Sequence, residues 1–319
     1  MLSKLKLNQL YFKDTQFVNL MTRRIFNVLL IANPYDAFML EDDGRVDEKI
    51  FNEYTSLSLR YPPRFSQVST EEEALMLLAN IPFDLVICMP GIGDNDAFSI
   101  GRHIKACYSH LPIVVLTPFS HAITKRIANE DLSAFDYIFC WLGNTDLLLS
   151  IIKLIEDKMN LEHDVAEVGV QLILLVEDGI RFYSSVLPNL YKFVLKQSQE
   201  FSTEALNAHQ RTLRMRGRPK IVLARTYEEA TEIYYRYKNN VLGVITDVRF
   251  PRQGKKDALA GIKLCDEIRR EDPFIPLIIQ SSEADNAAYA SKYGASFIDK
   301  NSKKMDVDLR RIVSDNFGF

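Results

Sequence analysis

The sequence predicts an α/β protein made of two similar halves, each a parallel sheet covered by helices on both faces. Three observations carry this expectation. At 319 residues the chain exceeds one ordinary domain. Two stretches repeat the same order of features, the signature of a tandem duplication. The apolar runs are short, unbroken and rich in Val and Ile, which suits strands buried on both faces of a parallel sheet.

Self-comparison gives the elements in order. The first half carries Val28-Leu-Leu-Ile-Ala-Asn, then Thr70-Glu-Glu-Glu-Ala, Asp84-Leu-Val-Ile-Cys-Met-Pro, Leu111-Pro-Ile-Val-Val-Leu-Thr and Phe135-Asp-Tyr-Ile-Phe-Cys. The second carries Leu172-Ile-Leu-Leu-Val-Glu-Asp, then Thr226-Tyr-Glu-Glu-Ala, Leu242-Gly-Val-Ile-Thr-Asp, Ile275-Pro-Leu-Ile-Ile-Gln-Ser and Ala295-Ser-Phe-Ile-Asp-Lys. Each half reads β-α-β-α-β-α-β-α-β. Thr226 is placed to cap a helix opening on Glu228 and Glu229, and residues 260–269 put Ile262, Cys265 and Ile268 on one helical face. Residues 14–24 read as an amphipathic helix with Phe17, Leu20 and Met21 on one side. The helical pattern at 148–154 ends before a boundary expected at 160–168. The expected organisation is an N-terminal segment 1–24, a first domain 25–160 and a second domain 168–319. Extra sequence separates the first two strands of each half, at residues 41–64 and 196–218.

Composition narrows the function. With 39 Lys+Arg against 42 Asp+Glu the net charge is −3, so no global field favours nucleic acid or an anionic membrane. The apolar runs fall far short of the roughly 20 residues a membrane helix needs, and no cleavable signal pattern opens the chain. A cytoplasmic location is expected. Cys88, Cys107, Cys140 and Cys265 lie in apolar segments without CxxC spacing, as reduced core thiols would.

In a parallel α/β sheet, ligand chemistry sits at the carboxyl ends of the strands. In the second half those positions hold Glu177, Asp178, Asp247, Ser281 and Lys300. Taken one at a time they also read as turns and caps. Together, three converging carboxylates repel one another, and a hard cation such as Mg²⁺ is the natural compensation. These residues resemble the receiver domain of two-component response regulators. The match includes the acidic pair, Asp247 with Pro251 four residues on, Ser281, and Lys300 within Gly294-Ala-Ser-Phe-Ile-Asp-Lys, over residues 170–317. Asn301 departs from the proline that usually follows the lysine.

The resemblance implies two flavodoxin-like (βα)5 receiver domains with five-stranded parallel sheets, and a role for each residue. Asp247 is the phosphoacceptor; Glu177, Asp178, Asp247 and the carbonyl of Arg249 hold Mg²⁺. Lys300 neutralises phosphoryl oxygens, Ser281 donates a hydrogen bond to them, and Phe297 is the aromatic switch. Arg249 and Glu283, two residues beyond the acceptor and the hydroxyl, form an expected gate over the site that slows hydrolysis. The implied partners are a sensor histidine kinase or phosphotransfer protein and an output partner not readable from the sequence. A homodimer is allowed; nucleic acid and membrane are not expected.

The same template on the first half places Ala32-Asn33 at the acidic pair, Met89 at the acceptor, Thr117 at the hydroxyl and Cys140 at the lysine. Asp96-Ala97-Phe98 anchors the alignment. Methionine cannot accept a phosphoryl group, so this half resembles a pseudo-receiver acting as an interaction module; Asp94 or Asp96 as substitute acceptor is disfavoured. The basic stretch Arg211-Thr-Leu-Arg-Met-Arg-Gly-Arg-Pro-Lys reads as a solvated face, and Tyr227, Tyr234, Tyr235 and Tyr237 as an aromatic-rich second helix.

Three other readings compete, one of them that both halves are binding scaffolds with no phosphorylation. Arg60-Tyr-Pro-Pro-Arg-Phe, Arg214-Met-Arg-Gly-Arg-Pro-Lys and Asp247-Val-Arg-Phe-Pro look similar to the receiver-like region preceding phosphoenolpyruvate synthase-type modules, which implies a regulatory N-terminal region of such an enzyme. A Mg²⁺-dependent phosphatase or phosphotransferase of the haloacid dehalogenase type also uses a strand-end Asp. It needs a carboxylate where Arg249 stands.

Overall fold

The computed structural model describes residues 17–41, 45–90, 97–118, 125–127, 130–201 and 215–318. They divide into two compact units, Arg23–Ile155 and Glu156–Phe319, the latter together with the described residues before Arg23.

In the first unit, strands β1 (Asn27–Ile31), β2 (Arg64–Val68), β3 (Leu85–Cys88), β4 (Ile113–Pro118) and β5 (Tyr137–Trp141) form one sheet in the order β2-β1-β3-β4-β5. All pairs are parallel. Every residue of the central strand β3 is buried, whereas the edge strand β2 is largely exposed or half-buried, which is how its polar sequence RFSQV is accommodated. Thr70 caps the helix Glu71–Asn80 by accepting from Glu73 N at 3.2 Å.

The second unit repeats the plan. Strands β6 (Leu172–Val176), β7 (Lys220–Ala224), β8 (Val241–Asp247), β11 (Leu277–Ser281) and β12 (Ser296–Asp299) pair in parallel in the order β7-β6-β8-β11-β12. With flanking helices this is the α/β, flavodoxin-like strand order in both units. Thr226 caps the helix Tyr227–Tyr237 by accepting from Glu229 N at 3.1 Å, matching Thr70 in the first unit. The helix Ala260–Glu271 buries Ile262, Cys265 and Ile268 as its periodicity predicts.

A two-stranded antiparallel hairpin, β9 (Phe250–Arg252) and β10 (Lys255–Asp257), follows β8 and is absent from the sequence reading. Its turn is Gln253-Gly254, both at positive φ (53° and 72°), the backbone that tight two-residue hairpins require and glycine tolerates at no steric cost.

Four expectations are corrected. The helical pattern at 148–154 does not end there: one helix runs Asp146–Val168. Its later turns bury Glu156, Asp157, Asn160 and Asp164, so the buried stripe turns polar and the apolar periodicity stops while the helix continues. The helix expected over 14–24 does not continue beyond Phe17. Residues 18–20 are turn and bend, and Met21 has φ 53°, which a helix cannot contain; residues before 17 lie outside the described residues. Cys107 is exposed at the last position of the helix Ala97–Cys107, unlike the other three cysteines. Burial pushes the thiols of Cys88 and Cys265 up to about 12, which suits packing residues. Finally, the basic stretch is not a solvated face where it is described, because Arg218 and Lys220 are buried against Asp157 and Asp164. Arg211 and Arg214 lie outside the described residues, as do Asp94 and Asp96.

Candidate functional site

Four parallel strands of the second unit end around one cleft of about 200 Å³, lined by Glu177, Asp178, Asp247, Ser281 and Lys300 among others, each a strand's last residue or one or two beyond it. The strand-end expectation therefore brings all five together. One carboxylate oxygen from each of Glu177, Asp178 and Asp247 lies within 4.8 Å of the others, the one such group of three possible metal ligands among the described residues.

Glu177, at the end of β6, is buried and its oxygens accept three bonds: Gly179 N at 3.0 Å, Gln280 Nε2 at 3.0 Å and Lys300 Nζ at 2.5 Å. Burial pushes its carboxyl up to about 7, against the opposing pull of Lys300 and with the help of nearby Asp247. Lys300 Nζ also lies 3.0 Å from Asp247 Oδ1 and 4.4 Å from the centre of the Phe182 ring, so one buried ammonium bridges two carboxylates over an aromatic face. Asp247 Oδ1 additionally accepts from Val248 N at 2.8 Å. The third carboxylate, Asp178, is held by Lys256 Nζ at 2.7 Å.

Ser281 closes β11 and is buried. Its Oγ accepts from Asn286 Nδ2 at 2.9 Å and from Glu283 N at 3.1 Å, and the hydroxyl proton remains available as a donor. Asn301 fixes the turn after Lys300: its Nδ2 donates to Ser282 O at 2.8 Å and its N to Asp299 Oδ1 at 2.8 Å. Phe297 is half-buried on β12 against the core of the unit. Arg249 and Glu283 are exposed on the rim of the same cleft, and no ion pair joins them among the described residues.

The helix Ala260–Glu271 starts directly against the phosphoacceptor candidate. Gly261 N donates to Val248 O at 3.0 Å, and a Cβ at Gly261 would stand 1.8 Å from the Asp247 carbonyl oxygen. Glycine is thus what lets this helix approach the end of β8. Sequence reasoning missed Gly261, Lys256, Gln280, Asn286 and Phe182. Gln280 and Asn286 carried a usable signal in flanking the strand-end Ser281.

At the equivalent strand ends of the first unit stand different groups. Asn33 Oδ1 accepts from Asp36 N at 2.8 Å, Met89 and Cys140 are buried, and Thr117 Oγ1 donates to Pro118 O at 3.0 Å.

The donor set of the second unit fits a hard divalent cation: three carboxylates from two strand ends, oxygen atoms only. Glu177, Asp178 and Asp247 would hold it. The cleft then combines a metal-binding carboxylate trio, a bridging lysine and a hydroxyl donor, which is chemistry suited to an incoming anionic phosphoryl group.

No family model matches the chain, and no curated protein matches it. Solved structures similar to it include a response regulator receiver domain from Clostridium thermocellum, 22% identical over 46% of this chain and 94% of its own, with a TM-score of 0.32. A probable two-component system response regulator/GGDEF domain protein is 13% identical over 92% of this chain and 98% of its own, TM-score 0.36. The complex of histidine kinase ThkA with response regulator TrrA supplies a third, 19% identical over 41% of this chain and 98% of that one, TM-score 0.31. At such identities and scores these likenesses carry no argument about chemistry; the fold rests on the strand order and register. Among the described residues no helix is long and apolar enough to cross a membrane.

Proposed function

We propose that the second unit is the receiver of a two-component signalling protein, accepting a phosphoryl group on Asp247 with Mg²⁺. The observation that carries this reading is the convergence of Glu177, Asp178, Asp247, Ser281 and Lys300 in one cleft at the carboxyl ends of parallel strands. Asp247 Oδ1 is already engaged by Val248 N and Lys300, so Oδ2 is the free oxygen for in-line attack. A new Oδ2–P bond forms as the bond from phosphorus to the donor breaks, and the donor's leaving atom takes the electron pair. When bound, Mg²⁺ neutralises the oxygens of the phosphoryl group in transit. Lys300, already at the Asp247 carboxylate, is placed to follow the charge onto those oxygens. Ser281 offers its free proton to one of them, drawing the β11 end inward, and Phe297 on the neighbouring strand then moves into the vacated space.

A sensor histidine kinase or phosphotransfer protein is the donor in this reading, and the chain works in the cytoplasm. The first unit, with Met89 at the acceptor position, serves as an interaction module without phosphorylation. Arg249 and Glu283 flank the cleft without pairing, so slow hydrolysis rests on steric cover of the water's path.

Beryllofluoride, an analogue of the bound phosphoryl group, tests the reading. A saturable, Mg²⁺-dependent ¹⁹F signal from bound beryllofluoride is expected, lost in the Glu177→Ala/Asp178→Ala double variant. Hydrogen exchange should slow between Ser281 and Phe297 on binding. No bound signal, or one indifferent to Mg²⁺, would overturn the reading.

A further inference from the structure

The hairpin β9–β10 has no part in the strand-end logic of the fold, yet it contributes a charged group to the cleft. Lys256, the middle residue of β10, donates from Nζ to Asp178 Oδ2 at 2.7 Å. The support beneath it is stiff. Phe250 is fully buried, Arg252 lies 4.7 Å over the Tyr227 ring, and Gln253 N donates to Glu228 Oε1 at 2.9 Å. Asp257, the next residue, accepts from Lys263 Nζ at 2.6 Å and from Leu259 N at 3.0 Å. Because successive strand residues face opposite ways, Lys255 points away from the side that Lys256 presents to Asp178.

The charges explain what such a lysine does. Three carboxylates meet two ammonium groups here, Lys300 on Glu177 and Asp247, Lys256 on Asp178. A divalent cation together with Lys300 balances the three carboxylates completely, and Lys256 becomes the surplus charge. The two lysines also differ in how tightly they are held. Lys300 is almost wholly buried with two carboxylate partners, whereas the Lys256 side chain is 53% exposed with one. A half-exposed pair of this kind contributes little and exchanges readily with water and ions.

We infer that Lys256 is an exchangeable counter-ion built into the site: it holds Asp178 in the metal-free protein and is displaced when a divalent cation takes that carboxylate. This deepens the reading under Proposed function and rests on its metal site. The consequence is a site whose metal affinity is set low by its own lysine, so that occupancy follows the divalent cation concentration. Displacement also leaves Lys256 at the mouth of the cleft, free to meet a phosphoryl oxygen.

Calorimetric titration of the full chain with MgCl₂ at fixed ionic strength tests this. Lys256→Met is expected to bind Mg²⁺ roughly 3- to 5-fold tighter than the unsubstituted chain, the factor matching at most about 1 kcal/mol for a half-exposed pair. Lys256→Gln should gain the same factor, which guards against a folding defect peculiar to one variant. Lys255→Met, which removes an equal charge one residue away, should change affinity by less than about 2-fold. Unchanged or weaker binding in both Lys256 variants would overturn the inference while leaving the metal site standing. An equal gain in Lys255→Met would also overturn it, by showing a general field effect in place of exchange. If the unsubstituted chain shows no saturable Mg²⁺ binding, the metal site itself is wrong and this inference falls with it.

Discussion

An Asp157→Ala chain is expected to melt roughly 10 °C lower in the transition of its Glu156–Phe319 unit, the consequence of losing about 3–5 kcal/mol. Asp157 is fully buried on the helix Asp146–Val168 and accepts four bonds. Arg218 supplies two, from Nη1 at 3.0 Å and Nη2 at 2.7 Å; the Tyr191 hydroxyl supplies one at 2.9 Å and Ile221 N one at 3.0 Å. Truncation leaves a buried guanidinium without its bidentate partner, removes the bond the Tyr191 hydroxyl makes to Asp157, and takes the acceptor from the Ile221 N–H. Neighbouring Lys220 compounds the cost. Burial already lowers its ammonium below the usual lysine range, with Asp157 opposing that shift, and it would be left with Asp164 at 2.7 Å. Replacing Asp157 by Leu and Arg218 by Met together removes both charges and should cost much less. Scanning calorimetry measures both; a fall of under roughly 2 °C in Asp157→Ala would contradict the pair's place in the fold.

Gly261→Ala is expected to slow phosphorylation of Asp247 by about 100-fold, the order of loss that a misplacement near 1 Å brings to an aligned reaction. The added methyl group would overlap the Asp247 carbonyl oxygen at 1.8 Å and approach its carbon at 2.9 Å, both backbone atoms that cannot swing aside. Either the helix Ala260–Glu271 lifts or the end of β8 gives way, at a cost of about 1–3 kcal/mol. Both movements shift the acceptor relative to Lys300. The rate of mass gain with acetyl phosphate, compared at matched temperature, checks this. Labelling within about twofold of the unsubstituted chain would show that Gly261 is incidental.

Much of the fold was legible because the strands announce themselves. Runs such as Leu172–Val176 are unbroken and apolar, and burial on both sheet faces is what they meet. Thr70 and Thr226, each followed three residues later by a glutamate, marked corresponding helices in both halves. What stayed hidden depended on partners distant in sequence. The helix Asp146–Val168 looked finished at Leu154 because its next buried residues are acidic, and the cations that meet Asp157 and Asp164, Arg218 and Lys220, lie more than fifty residues on. The same pairs made a buried basic stretch look solvated.

The candidate site divides along the same line. Residues that end apolar strands could be read directly, which recovered Glu177, Asp178, Asp247 and Ser281, with Lys300 just beyond β12. Lys256 sits in a charged three-residue strand with no periodicity to notice, and it reaches Asp178 across 78 positions. Gly261 is legible only through the space around it.

Borohydride reduction after treatment with acetyl phosphate and Mg²⁺, followed by peptide mass spectrometry of the full chain, tests the phosphoacceptor directly, since reduction converts an aspartyl phosphate into a stable alcohol at the modified residue. One modified position is expected, Asp247, absent when Mg²⁺ is withheld and absent in Asp247→Asn. Modification within the Arg23–Ile155 unit, or labelling that persists in Asp247→Asn, would contradict the account.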